Sequence, residues 1–172
     1  MKSFRKYIAK QNNPYIIIVT ILGTLGHFLY KWSGNSPIAA LFFPINESTW
    51  EHLKLLFFPF LLVSVWKYFR HGRYQRNFFY NQWIAVLYGM LSIIILFFTY
   101  SGVIGHSVLI IDLLIYVFSV ILTFYVADRL NEATKRSSFM PANVAVLWLA
   151  VSFLFFLFTC FPPDIPLFFP PQ

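Results

Sequence analysis

The chain has 172 residues, 59 % of them hydrophobic and 11 % charged, with a formal net charge of +7. Soluble domains carry roughly 45–50 % apolar and about 25 % charged residues, so the composition excludes an ordinary soluble domain and points to an all-α integral membrane protein. One cysteine, Cys160, excludes an intrachain disulfide and a cysteine-rich metal site, and no soluble basic surface is available to a nucleic acid.

Charged residues punctuate the sequence, and the stretches between them predict five transmembrane helices near 14–32, 47–69, 81–100, 107–127 and 142–161. Helix one follows Lys2, Arg5, Lys6 and Lys10, and its long apolar run without a small-x-small cleavage site reads as an uncleaved span. Helix two is apolar from Leu55 to Trp66 and opens on the polar run Asn46-Glu47-Ser48-Thr49-Trp50-Glu51-His52-Leu53-Lys54. Helices three and four are separated by a turn over Ser101–Gly105, with His106 after it and Asp112 in the first turns of helix four. Helix five ends near Cys160, expected to serve packing, and the Pro- and Phe-rich tail 161–172 cannot continue it because repeated proline favours extended chain.

Lys and Arg are retained on the cytoplasmic side of short loops, and eleven of the thirteen basic residues precede helix one or lie between helices two and three or four and five. The expected topology is a cytoplasmic N-terminus and an outer C-terminal tail in a multi-pass protein of the cell membrane. The 172 residues form one transmembrane domain, with no linker or internal repeat to mark a second. Lipid is the expected partner, together with a second copy or another membrane protein.

Depth along each helix brings ionisable groups to one level. With Lys67 and Asp128 at the inner boundary, Glu51 and Asp112 each lie about 24 Å away, inside a hydrocarbon layer roughly 30 Å thick. His27 lies about 20 Å along helix one from Pro14, in the same outer zone. Glu47, Glu51 and Lys54 recur at i, i+4 and i+7 and so share a face, Thr20, Gly23, His27 and Lys31 share one on helix one, and helix four carries Asp112, Tyr116, Ser119 and Thr123. Polar stripes in a membrane turn inward, so an outward-facing pocket of His27, Lys31, Asn46, Glu47, Trp50, Glu51, His52, Lys54, Asp112 and Tyr116 is expected between helices one, two and four. Ser48-x-x-Glu51 is also a capping box, which accounts for Glu51 without a ligand.

The segment from Phe42 to Lys54 resembles the signature of a family of small, uncharacterised bacterial multi-helix membrane proteins, in which an Asn-Glu-Ser-x-Trp-Glu-His-x-Lys run follows a Phe-Pro step. That resemblance implies a polytopic protein and supplies no substrate. In site chemistry the chain is similar to membrane hydrolases related to alkaline ceramidases and adiponectin receptors, where three histidines hold zinc beside Ser and Asp in seven helices. His27, His52, His106, Asp112 and Ser101 are the counterparts here, with five spans and no His-x-x-x-His pair.

Three functions compete. A binding or transport protein would receive a small polar ligand, a cation or a lipid head group on Glu47, Glu51 and Asp112, with His27 and His52 titrating. A metal-dependent hydrolase acting on a lipid-like substrate at the outer leaflet would bind zinc through His27, His52 and His106, with Asp112 or Glu51 as fourth ligand or as a partner orienting the ligands, and Glu47 as general base. An accessory protein would use the polar run to cap helix two and dock a partner or its own tail.

Overall fold

A computed structural model describes residues 12–70, 72, 75, 77–133 and 141–171. The basic residues Lys2, Arg5, Lys6, Lys10, Arg73, Arg76, Lys135 and Arg136 and His71, which carry much of the expected topology, lie outside the described residues. The protein is helical, with no strand among the described residues, and its order is α1 (Asn13–Trp32), α2 (Pro37–Phe42), α3 (Thr49–Arg70), α4 (Phe78–Ile104), α5 (Leu109–Ala133) and α6 (Pro141–Cys160), then a 3₁₀ turn at Pro166–Phe168. Five of the helices, all but α2, are long and apolar enough to cross a membrane.

The observed helices run beyond several expected ends. α4 continues through Ser101 to Ile104 and stops where Gly105 takes a left-handed φ of 87°, so the expected Ser101–Gly105 turn is the last turn of a helix. The short helix α2 has no counterpart among the expected elements, because its six residues between Pro37 and the Phe43-Pro44 step lack a full apolar period.

α3 is the central helix. Half of its apolar window is buried inside the bundle, against 17–28 % for the other four, and it packs on α1, α4 and α6. Leu56, Phe57 and Phe60 from α3 meet Val86 of α4, Phe124 of α5 and Phe155 of α6 in a closed core. The outer faces of the bundle are apolar and open, with Leu62, Leu109, Ile110 and Leu149 all more than 60 % exposed, a surface consistent with lipid contact. Trp32 and Trp66 share that exposure, whereas Trp148 is core and donates its indole N–H to the Phe79 carbonyl, unlike an interfacial anchor. Cys160 is exposed rather than enclosed in the bundle.

Two close approaches set the register of α1, α3 and α5. Pro59 sits inside α3 and has no N–H to offer the carbonyl of Leu55, four residues earlier. The Tyr116 hydroxyl of α5 lies 3.3 Å from that carbonyl oxygen and 3.0 Å from the Val19 carbonyl of α1, and bonds into both. Gly23 makes room for it, since a Cβ there would overlap the Tyr116 hydroxyl. At the opposite end of the bundle Asn12 donates to both Asp128 carboxylate oxygens at 2.6 and 2.7 Å and accepts from Lys67 at 2.8 Å, tying α1 to α3 and α5.

The tail after α6 folds back over the end that carries the polar run. Phe168 is buried, with its ring 4.9 Å from Trp50 and 5.2 Å from Phe158.

A candidate metal centre in a layered cavity

The polar run begins before the helix does. Asn46 folds its side chain onto the Ser48 N–H at 2.9 Å, and the Ser48 hydroxyl then accepts the Glu51 N–H at 3.3 Å, which starts α3. The second half of the expected capping box is replaced: Glu51 reaches past Ser48 and accepts the Ile45 N–H at 3.1 Å. Glu47 therefore lies in the connection ahead of α3, and helical spacing no longer puts it on the face of Glu51 and Lys54. It turns the other way, toward α1.

There it meets two histidines. One Glu47 oxygen is 3.7 Å from His27 Nε2 and the other is 3.4 Å from His52 Nε2. The imidazole centroids of His27 and His52 are 5.3 Å apart. One ligand atom from each of the three residues falls within 4.8 Å of the others, a spacing a single metal ion can bridge.

His52 Nδ1 lies 2.8 Å from the Ser48 carbonyl oxygen, which can only accept, so Nδ1 carries the hydrogen. Its Nε2 can then face the Glu47 carboxylate favourably in two ways: protonated, as an imidazolium donor, or with a cation between them. A carbonyl that fixes the far nitrogen of a histidine is the outer support that metal-ligating imidazoles use. Hydrogen bonding from His52 holds the Glu47 carboxyl below its ordinary 4.5 against the opposing effect of partial burial, and the charges of His27 and Lys31 act in the same direction as the hydrogen bond.

The trio borders a cavity of about 510 Å³ between α1, α3, α4 and α5, with Asp112, Tyr116 and Thr49 in its wall and Pro170 and Pro171 of the tail at its edge. Asp112 is held by the Tyr100 hydroxyl, which in turn accepts the Val108 N–H at 3.1 Å. The cavity volume falls within the roughly 300–1,000 Å³ of small-molecule sites.

The remaining charges of the run form a separate, closed network. Lys54 and Glu51 pair at 2.8 Å with side chains 0 and 3 % exposed. Lys54 also donates to the Ala40 carbonyl at 2.9 Å and to Thr159 at 2.6 Å, and Thr159 Oγ1 lies 2.9 Å from Glu51 Oε1. This network joins α2, α3 and α6 behind the cavity.

The structure thus divides the expected pocket. His27, Glu47, His52, Asp112 and Tyr116 share the cavity wall, while Glu51 and Lys54 are internally paired and Asn46 shapes the turn. Trp50 packs against Phe155, Phe158 and Phe168. Lys31 is exposed at the end of α1 and acts on Glu47 through its charge. His106 is exposed beyond α4 and does not belong to the group of possible ligands, and Asp112 borders the cavity without joining that group. Ser101 bonds to its own helix at the Phe97 carbonyl. Tyr100 and Thr159 are absent from the expected pocket; Thr159 is legible only as a polar residue late in a nearly all-apolar helix.

The chain belongs to the family of unknown function DUF6512, whose profile matches residues 1–171. Neither the curated proteins nor the solved structures contain a match to it.

Proposed function

We propose that this member of a family without assigned function is a multi-pass protein of the cell membrane that binds a divalent transition metal, of the zinc type, at His27, Glu47 and His52. The N-terminus is cytoplasmic in this reading, and the cavity opens toward the outer face. The observation that carries it is the approach of Glu47 to two imidazole nitrogens, with the far nitrogen of His52 committed to the Ser48 carbonyl. Histidine and carboxylate donors without thiolate suit zinc and its neighbours better than calcium or magnesium, which prefer all-oxygen sets.

Three protein donors leave a coordination position open, which is the pattern of catalytic zinc sites. Asp112 on the same cavity supplies a second carboxylate and supports metal-dependent hydrolysis as the further reading. Glu47 then serves as a ligand, and the role of general base passes to Asp112.

The test is metal content. Full-length protein purified without a histidine tag or chelator and equilibrated with zinc should carry about one zinc per chain, and His27→Ala and His52→Ala should lose it while retaining a cooperative melt. Protein that melts cooperatively and holds no zinc overturns the proposal.

A further inference from the structure

The four helices that wall the cavity place its residues in two layers. α1 and α4 run toward the polar-run end and α3 and α5 run away from it, so one helical turn, about 5.4 Å, separates His27 from Gly23, His52 from Leu55, Asp112 from Ile115 and Phe97 from Ile93. The upper layer holds the ionisable groups and the rim, where Ser107, Leu109 and the tail prolines are exposed. The lower layer is Leu55, Ile93 and Ile115, each less than 10 % exposed. Tyr116 closes the floor with its hydroxyl turned away onto the Leu55 and Val19 carbonyls.

Such a space does not suit a bare ion. A hydrated cation would use the upper layer and leave the aliphatic layer in contact with water or empty. The cavity of about 510 Å³ lies within the roughly 300–1,000 Å³ of small-molecule sites.

We infer that the ligand of this site is a small single-chain amphiphile, with an oxygen-donor head at His27, Glu47 and His52 and its apolar chain laid against Leu55, Ile93 and Ile115. The inference rests on the metal reading above and names the ligand class for it. The head completes the open coordination position, and the chain points toward the middle of the bundle, so the molecule enters head last. Chain length then decides affinity, because each methylene placed on the aliphatic layer strengthens binding roughly fourfold.

Full-length protein in nanodiscs, loaded with cobalt in place of zinc, provides the readout through its visible absorption bands. Acetohydroxamate and octanohydroxamate present the same metal-binding head on short and long chains. Octanohydroxamate should shift the bands at a concentration at least a hundredfold lower than acetohydroxamate. Ile93→Trp, which fills the lower layer, should keep the cobalt bands and the response to acetohydroxamate but lose most of that preference, which also removes the contribution of partition into the bilayer. Ile115→Phe gives the same comparison should the tryptophan variant fail to fold. Cobalt bands that respond equally to both hydroxamates, that ignore both, or whose chain-length preference is the same in the filled variants overturn the amphiphile and leave the metal site standing. Absence of cobalt bands in folded protein overturns the metal site, and the amphiphile with it.

Discussion

Replacing Lys54 with methionine isolates the most deeply buried charge among the described residues. The Lys54 side chain is fully enclosed and its partner Glu51 is 3 % exposed, so solvent screening does not dilute the pair. Methionine keeps most of the apolar stem and removes the ammonium, leaving Glu51 charged in a closed space and the Ala40 carbonyl without its donor. Breaking one side of a buried ion pair costs about 3–5 kcal/mol, because the remaining charge has lost both water and its counterion. That is roughly a hundredfold to a few-thousandfold change in the folded-to-unfolded ratio. Equilibrium unfolding in mixed micelles, followed by the fluorescence of Trp50 and its neighbours, measures it. The double variant Glu51→Gln with Lys54→Met removes both charges but keeps an acceptor for the Ile45 N–H, and should recover more than half of the loss. A Lys54→Met protein within about 1 kcal/mol of the parent, or a double variant no better than the single one, would refute the assignment of this pair as a desolvated clamp.

Other outcomes follow from the same geometry. Gly23→Ala should destabilise by about 1–3 kcal/mol through overpacking against Tyr116, whereas Gly102→Ala, where an added methyl meets nothing within 4 Å, should be neutral or stabilising by about 0.5–1 kcal/mol; thermal melts of the two separate tight from open positions. Asn12→Ala removes the bridge between Asp128 and Lys67 and should cost about 1.5–3 kcal/mol, read by the same unfolding titration. In the metal-free protein the Glu47 carboxyl is held below its ordinary 4.5 chiefly by hydrogen bonding from His52, so the folded state binds fewer protons at this group than the unfolded state does. Its contribution is complete above pH 4.5 and is lost as the pH falls through the lowered value in the folded protein. The melting-temperature advantage of the parent over Glu47→Gln should therefore shrink on acidification below pH 4.5 and stay constant just above it; an advantage that grows with acid contradicts the assignment.

The level of the candidate site is legible in the sequence. Helix rise alone puts His27, His52 and Asp112 at one depth, and all three border one cavity. The division of the polar run is not legible there. Its spacing pairs Glu47 with Glu51 on an ideal helix, but α3 starts at Thr49, so the single turn stabilised by Asn46 and Ser48 sends Glu47 to α1 while Glu51 and Lys54 turn to α6. Thr159 and Tyr100 enter the two networks from helices whose polar residues carry too weak a periodic signal to assign a face.

Composition and the gaps between charges determined by themselves that this chain makes five long apolar helices, since an apolar stretch of that length satisfies its own backbone only as a helix and must be covered by lipid or by other helices. Tertiary structure alone decided which helix is central, which histidines meet a carboxylate and which charges are silenced in a closed pair. Those outcomes depend on the rotation of each helix about its axis. That rotation is set by contacts far apart in sequence, such as the Tyr116 hydroxyl on the carbonyl that Pro59 leaves unbonded, with Gly23 making the space.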